Sequence, residues 1–140
     1  MKLKIFKRST KAIVNFAKKE WENADKEHYG KAHDFSSKKF ILAAYNGTEI
    51  IGKVSLIVRA GVGEVQEVIV AKLHRGTGVG KSLMLKIEEI AKKNNAHKLW
   101  LNTGKGWSAE EFYKNLGYEK TADLPNHYLK RDFVEYSKYI

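Results

Sequence analysis

The run Arg75-Gly76-Thr77-Gly78-Val79-Gly80-Lys81-Ser82 constrains this chain more than any other stretch. Residues 65–73 before it form an apolar, strand-like segment. After it, Leu83, Met84, Ile87, Ile90 and Ala91 recur at helical spacing. Three alternating glycines between a strand and a helix let the backbone turn sharply and bring N–H groups to one point. The first helical turn adds its own unpaired N–H groups and the positive end of its dipole. Such a junction holds a phosphate or pyrophosphate. It also imposes a strand–loop–helix unit on the fold.

Two phosphate loops fail by counting. G-x-x-x-x-G-K-[ST] needs a glycine where Arg75 stands. G-x-G-x-x-G started at Gly76 needs its third glycine at Lys81, and started at Gly78 needs it at Leu83. The chain therefore carries neither a nucleoside-triphosphate loop nor a dinucleotide fingerprint.

The pattern around the loop sets the fold class. Residues 2–7 alternate apolar and polar, which predicts a first strand. Ser9 and Thr10 are candidate N-caps for a helix with Ile13, Val14, Ala17, Trp21 and Ala24 on one face. Residues 25–38 have no period and read as a loop or short helix. Strands at 40–45 and 50–58 are joined at Asn46-Gly47, and a turn at Gly61-Val62-Gly63 leads to a third strand ending near Leu73. A helix at 79–94, a short strand at 99–101 and a helix at 109–116 follow. Ser108 with Glu111 reads as a capping box for this last helix, and Gly117 as its stop. Two more strands, 118–121 and 128–136, flank Pro125. The order predicts an α/β (α+β) fold in one domain, residues 1–140, with a mixed, largely antiparallel central sheet and helices on both faces.

Arg75, Gly78 and Gly80 form Arg-x-x-Gly-x-Gly, preceded by the apolar Val68-Ile69-Val70. Downstream lies Ser108-Ala109-Glu110-Glu111-Phe112-Tyr113-Lys114-Asn115-Leu116-Gly117-Tyr118. Together these motifs resemble the GNAT superfamily of N-acetyltransferases, and the resemblance covers residues 40–120. It implies a strand splayed from its neighbour at Val68, Ile69 and Val70, with backbone groups open to the pantetheine arm of acetyl-CoA. It implies that amides of Gly76, Thr77, Gly78, Val79, Gly80, Lys81 and Ser82 hold the pyrophosphate, with Arg75 and Lys81 at phosphate oxygens. Tyr113 matches the tyrosine that supplies a proton to the coenzyme sulfur. Glu67 and Glu64 lie where some members place a glutamate acting through water as base. Strand alternation sends these two to opposite faces unless a bulge intervenes. Many relatives carry an asparagine at the position of Gly106, and Asn102 is the candidate for a replacement contact.

Acetyl transfer from a thioester to an amine requires proton loss from the amine, a donor for the oxyanion and a proton for the thiolate. A covalent route needs an activated nucleophile. The chain has no cysteine, and no Ser–His–acid arrangement stands out. Direct attack on acetyl-CoA in a ternary complex, with a primary amine as acceptor, fits better. The acceptor class, small molecule or peptide, is not encoded in the motifs. The segments 25–38 and 121–128 are expected to frame it, with Asn126 and His127 either lining it or forming a turn.

Composition leaves two alternatives. The formal charge of +10 suits a basic nucleic-acid-binding domain. The lysines are spread along the whole chain, however, and coenzyme A, with about four negative charges, also rewards a basic cleft. A non-catalytic acyl-CoA-binding module of the same fold is the second alternative. The histidines at 28, 33, 74, 97 and 127 show no metal-ligand spacing, so no metal is expected. No apolar run approaches the length of a membrane span, and the alternating N-terminus is unlike a signal peptide. A cytoplasmic location is the default expectation, and the assembly stays open between monomer and homodimer.

Overall fold

The computed structural model describes all 140 residues and divides into two compact units, Met1–Phe35 and Ser36–Ile140. The smaller unit contains helix α1, Lys11–Tyr29. Thr10 caps it, its Oγ1 accepting from the Ile13 N–H at 3.3 Å. The helix runs beyond the expected boundary at residue 25 because no breaker occurs before Gly30. That glycine takes φ +78 and donates its N–H to the Lys26 carbonyl. Asp25 then accepts from the His33 N–H at 3.1 Å, fastening the chain that leaves the helix. Residues 2–7 form no strand. Their alternation defines a face, but a strand also needs a neighbour to hydrogen-bond. Leu3 and Ile5 stand 83% and 99% exposed.

The larger unit is one six-stranded sheet in the order β1-β2-β3-β4-β6-β5. Its strands are β1 (Ser37–Asn46), β2 (Glu49–Arg59), β3 (Val62–Val70), β4 (Lys98–Gly104), β5 (Glu119–Leu124) and β6 (Phe133–Tyr139). All pairings are antiparallel except β3 with β4. The first hairpin turns at Gly47-Thr48, one residue later than the sequence suggests, with Gly47 at φ +61. The second turns at Ala60-Gly61, both at positive φ, as a two-residue hairpin loop of type I′ demands. Gly63 is thereby a strand residue. It lacks a side chain because Leu99 and Leu56 occupy the space a Cβ would take.

Helices α2 (Val79–Lys93) and α3 (Ala109–Asn115) share one face of this sheet. Leu83, Met84, Ile87 and Ala91 from α2 and Tyr113 from α3 meet Val54, Leu56, Val58, Val65, Leu99, Leu101, Val134 and Tyr136 in one core. The helix expected on the other face, α1, belongs to the smaller unit. Gly52 lets α2 sit close, since a Cβ there would lie 2.9 Å from a Leu83 methyl. Buried Glu88 on α2 accepts from Lys138 at 2.9 and 3.0 Å and from the Tyr118 hydroxyl at 3.3 Å, fastening α2 to β6. No helix is long and apolar enough to cross a membrane.

Candidate active site

The site starts from one extra residue. Along β2 and β3, Ser55 pairs with Glu67 and Leu56 with Val65, leaving Gln66 as a bulge. Beyond it β3 no longer runs beside β4: their parallel pairing covers only Val62 with Lys98, Gly63 with Leu99 and Glu64 with Trp100. The rest of β3 and β4 splay apart and a cleft opens between them.

Backbone polarity past the bulge follows strand alternation. Ile69 pairs with Lys53, and the Ala71 N–H donates to the Ile51 carbonyl at 2.8 Å, so odd-numbered residues face β2. Val68 and Val70 therefore turn their backbone groups toward the cleft. The Val70 carbonyl is met there by the Arg75 Nε at 3.1 Å. Part of the Arg75 guanidinium thus serves the protein itself. Its terminal nitrogens remain for an anion.

The glycine loop connects β3, through a 3₁₀ turn at Lys72–His74, to α2. Gly76 and Gly78 take φ +73 and +91, and a Cβ on either would point into open space. Gly80 has a different reason. It lies inside the helix, and a Cβ would come within 3.3 Å of the Phe112 ring on α3. The first intrahelical bond runs from the Ser82 N–H to the Gly78 carbonyl. The N–H groups of Val79, Gly80 and Lys81 precede it and are the orphan donors of the helix start. The Thr77 hydroxyl is committed to the His74 carbonyl at 2.6 Å and tightens the loop.

A groove of about 630 Å³ brings Val68, Ile69, Val70, Arg75, Gly76, Gly78, Gly80 and Lys81 together with Tyr113. Thr77, Val79 and Ser82 line a separate depression beside β1. A second hollow of about 380 Å³ includes Gln66, Glu67, Asn102 and Phe133. The two cavities share Val68, Ile69, Trp107, Ala109 and Tyr113. Tyr113 thus borders both.

Tyr113 is 8% exposed and packs against Phe112 and Tyr118, with ring centroids 5.1 and 5.9 Å away. Burial alone pushes its phenol up to about 12, so it holds its proton throughout the neutral range. Glu64 and Glu67 share a face after all, because the bulge restores the parity that alternation would break. They differ in place. Glu67 lines the second hollow, with its carboxylate 2.8 Å from Lys53 Nζ, whereas Glu64 lines neither cavity. Asn102 lines the hollow opposite Glu67.

Gly106, at the position where the resemblance implies an asparagine in many relatives, offers no side chain to the site. It takes φ +80, and its N–H donates to Glu110 Oε2 at 2.5 Å. The expected capping box is absent: Ser108 has helical backbone angles and no side-chain cap bond. Glu110, not Glu111, holds this end of α3, its other oxygen accepting from the Tyr136 hydroxyl at 2.7 Å. Sequence reasoning missed Gln66, Trp107, Phe112 and Phe133. The one local signal was Gly104, three residues before a tryptophan, and a Cβ there would collide with the Trp107 ring.

A model of the acetyltransferase (GNAT) family matches residues 9–118. Among curated proteins, a glucosamine 6-phosphate N-acetyltransferase of Trypanosoma brucei brucei is 32% identical over 76 residues, 49% of this chain and 50% of that protein. The chain thus matches about half the length of that relative. Among solved structures, an acetyltransferase from Bacillus cereus aligns with a TM-score of 0.72 at 20% identity, covering 98% of both chains. A GNAT family acetyltransferase from Elizabethkingia anophelis with acetyl-CoA bound aligns with a TM-score of 0.66 at 20% identity, over 71% of this chain and 75% of that one.

Proposed function

The chain belongs to the GNAT acetyltransferase family, and we propose that it transfers the acetyl group of acetyl-CoA directly to a primary amine. The observation that carries this reading is the meeting of two cavities at Tyr113. One cavity leads from the glycine loop, the other from the far side of the β3–β4 gap.

Acetyl-CoA supplies an activated thioester. The Val79, Gly80 and Lys81 amides, the Lys81 ammonium and the free end of Arg75 hold its pyrophosphate, and the open backbone of Val68 and Val70 holds its pantetheine arm. The amine enters through the hollow lined by Glu67 and Asn102. A carbon–nitrogen bond forms as the carbon–sulfur bond breaks. Tyr113 gives its proton to the departing sulfur and regains one from solvent. The amine proton leaves through water. Glu67 can relay it only in competition with its ion pair to Lys53, and Glu64 is set aside from the path. Most of the rate comes from holding two reactants in line.

The test is calorimetry with acetyl-CoA, followed by transfer to a panel of amines read by mass. Saturable binding with acetylated product is the expected result. Binding without transfer to any amine points to an acyl-CoA-binding module, and absence of binding removes the reading.

A further inference from the structure

We propose that a basic hollow beside the cleft, formed by Lys105, Lys130 and Arg131 against Trp107, is an acceptor subsite for an anionic group of the amine substrate. The group is a carboxylate or a phosphate. This proposal rests on the transfer reading above and assigns the substrate class for it.

The hollow encloses about 360 Å³ and is completed by Asp132 and Phe133. Three cations face one carboxylate there. Neither Lys130 nor Arg131 forms an ion pair. Lys105 reaches Asp123 only at 3.8 Å, and Asp123 already has Lys120 at 2.6 Å. The one acidic wall residue, Asp132, is partly committed, with its Oδ1 accepting from the Asn126 N–H at 2.9 Å. The hollow therefore keeps an uncompensated positive charge. Its concave apolar walls, Trp107 and Phe133, strengthen that field over what an open surface gives.

Its position links it to the chemistry. Trp107 and Phe133, with ring centroids 5.8 Å apart, also wall the hollow that contains Glu67 and Tyr113. No residue of the glycine loop lines the basic hollow, so it is separate from the proposed pyrophosphate cradle. A small molecule with an amine a few bonds from its anion spans the two.

The hollow is also built rather than incidental. Asn126, Leu129 and Lys130 take φ +51, +55 and +59, conformations costly for residues with side chains. The turn is held by bonds from the His127 N–H to the Arg131 carbonyl at 2.8 Å and from the Arg131 N–H to the Tyr128 carbonyl at 3.0 Å. The rings of His127, Tyr128 and Phe133 stack around it at 4.3 to 5.7 Å. The Lys105 N–H donates to the Asp132 carbonyl at 3.1 Å and joins the two loops. Backbone strain kept in place by its surroundings concentrates at binding sites.

The experiment uses the full chain and the variant K130A/R131A. The Trp107 indole N–H resonance, assigned with Trp107→Phe, is followed while inorganic phosphate is added. A saturable shift in the parent chain that vanishes in the variant is expected. Transfer is then compared for ethanolamine against phosphoethanolamine, and for butylamine against 4-aminobutyrate. The anion-bearing member of at least one pair is expected to lead in kcat/KM by about tenfold or more, the variant to erase that lead, and Arg131→Lys to keep part of it. The two pairs separate phosphate from carboxylate.

No phosphate shift at Trp107 together with equal rates within both pairs overturns the proposal. A raised KM for acetyl-CoA in the variant, with the acceptor lead intact, assigns the hollow to the donor and overturns it too. Phosphate binding in a chain without acetyl-CoA affinity removes the acceptor role by removing the transfer reading itself, a failure distinct from the other two.

Discussion

The role proposed for Tyr113 rests on where it sits. A phenol in water loses its proton near pH 10. Burial here lifts that to about 12, so the proton-bearing form persists at higher pH than in an exposed tyrosine. A rate that depends on this proton is lost as pH rises through the folded value, not through 10. The turnover profile of the parent enzyme should therefore show no falling limb centred near pH 10. Tyr113→Phe keeps the ring contacts to Phe112 and Tyr118 and removes only the hydroxyl. It is expected to lower kcat by about 10²-fold or more, with acetyl-CoA affinity held within about threefold. Steady-state kinetics and calorimetry read the two effects separately, and unchanged turnover removes Tyr113 as the acid.

The carboxylate that holds the start of α3 is Glu110, not its neighbour Glu111, at the position a capping box would use. Spacing alone cannot say which of two adjacent carboxylates reaches back. The three-dimensional answer depends on Tyr136, distant in sequence, whose hydroxyl binds Glu110 and holds its carboxyl below the usual range, with the Gly106 N–H adding to the effect. A lowered folded pKa means stability present at neutral pH and lost as pH falls through the carboxylate range. Glu110→Gln should cost about 1 kcal/mol at pH 7 and progressively less as the pH drops below about 4. Chemical denaturation at both pH values measures it.

At the scale of the elements, the bulge at Gln66 decides what the sheet can do. It ends the parallel pairing of β3 with β4, and it places Glu64 and Glu67 on one face. Deleting Gln66 joins Val65 directly to Glu67, which keeps the pairings of Leu56 with Val65 and Ser55 with Glu67 and each side chain on its face, but removes the extra residue that bends β3 away from β4. The deletion is expected to weaken acetyl-CoA binding by at least about a hundredfold, while circular dichroism still reports a folded sheet with a lower Tm. Undiminished binding would detach the cleft from the bulge. The hairpins and α2 were legible because their signals are local: turn glycines, period-2 runs and a 3.6-residue stripe. The bulge was legible only as a conditional, since an extra residue in a strand has no signature until its partner's register is known. The absent first strand failed for the same reason. Residues 2–7 carry the alternation but have no ladder to join.

For the whole molecule, the glycine loop and the Tyr113 helix were readable because a family-like spacing ties them together. The walls of the proposed acceptor side were not. Trp107, Phe133 and the basic hollow come from two segments distant in sequence, one after β4 and one at the start of β6, joined only in three dimensions by the pairing of Gly104 with Phe133 and the bond from Lys105 to Asp132. The net charge of +10 suits either nucleic acid or a steered anionic coenzyme. These two uses separate by rate and by salt. Charges scattered over the surface act at a distance, across about 30 Å at ~0.01 M ionic strength but only about 8 Å at ~0.15 M. Steering therefore changes the association rate far more than the dissociation rate, which depends on short contacts inside the groove. Stopped-flow binding of acetyl-CoA should show kon falling by about tenfold or more over that salt range. Over the same range koff should change by less than about threefold. If charge serves coenzyme capture, duplex DNA added at ~0.15 M should leave acetyl-CoA binding unaltered. A kon indifferent to salt, with DNA displacing the coenzyme, would return the basic surface to the nucleic-acid reading.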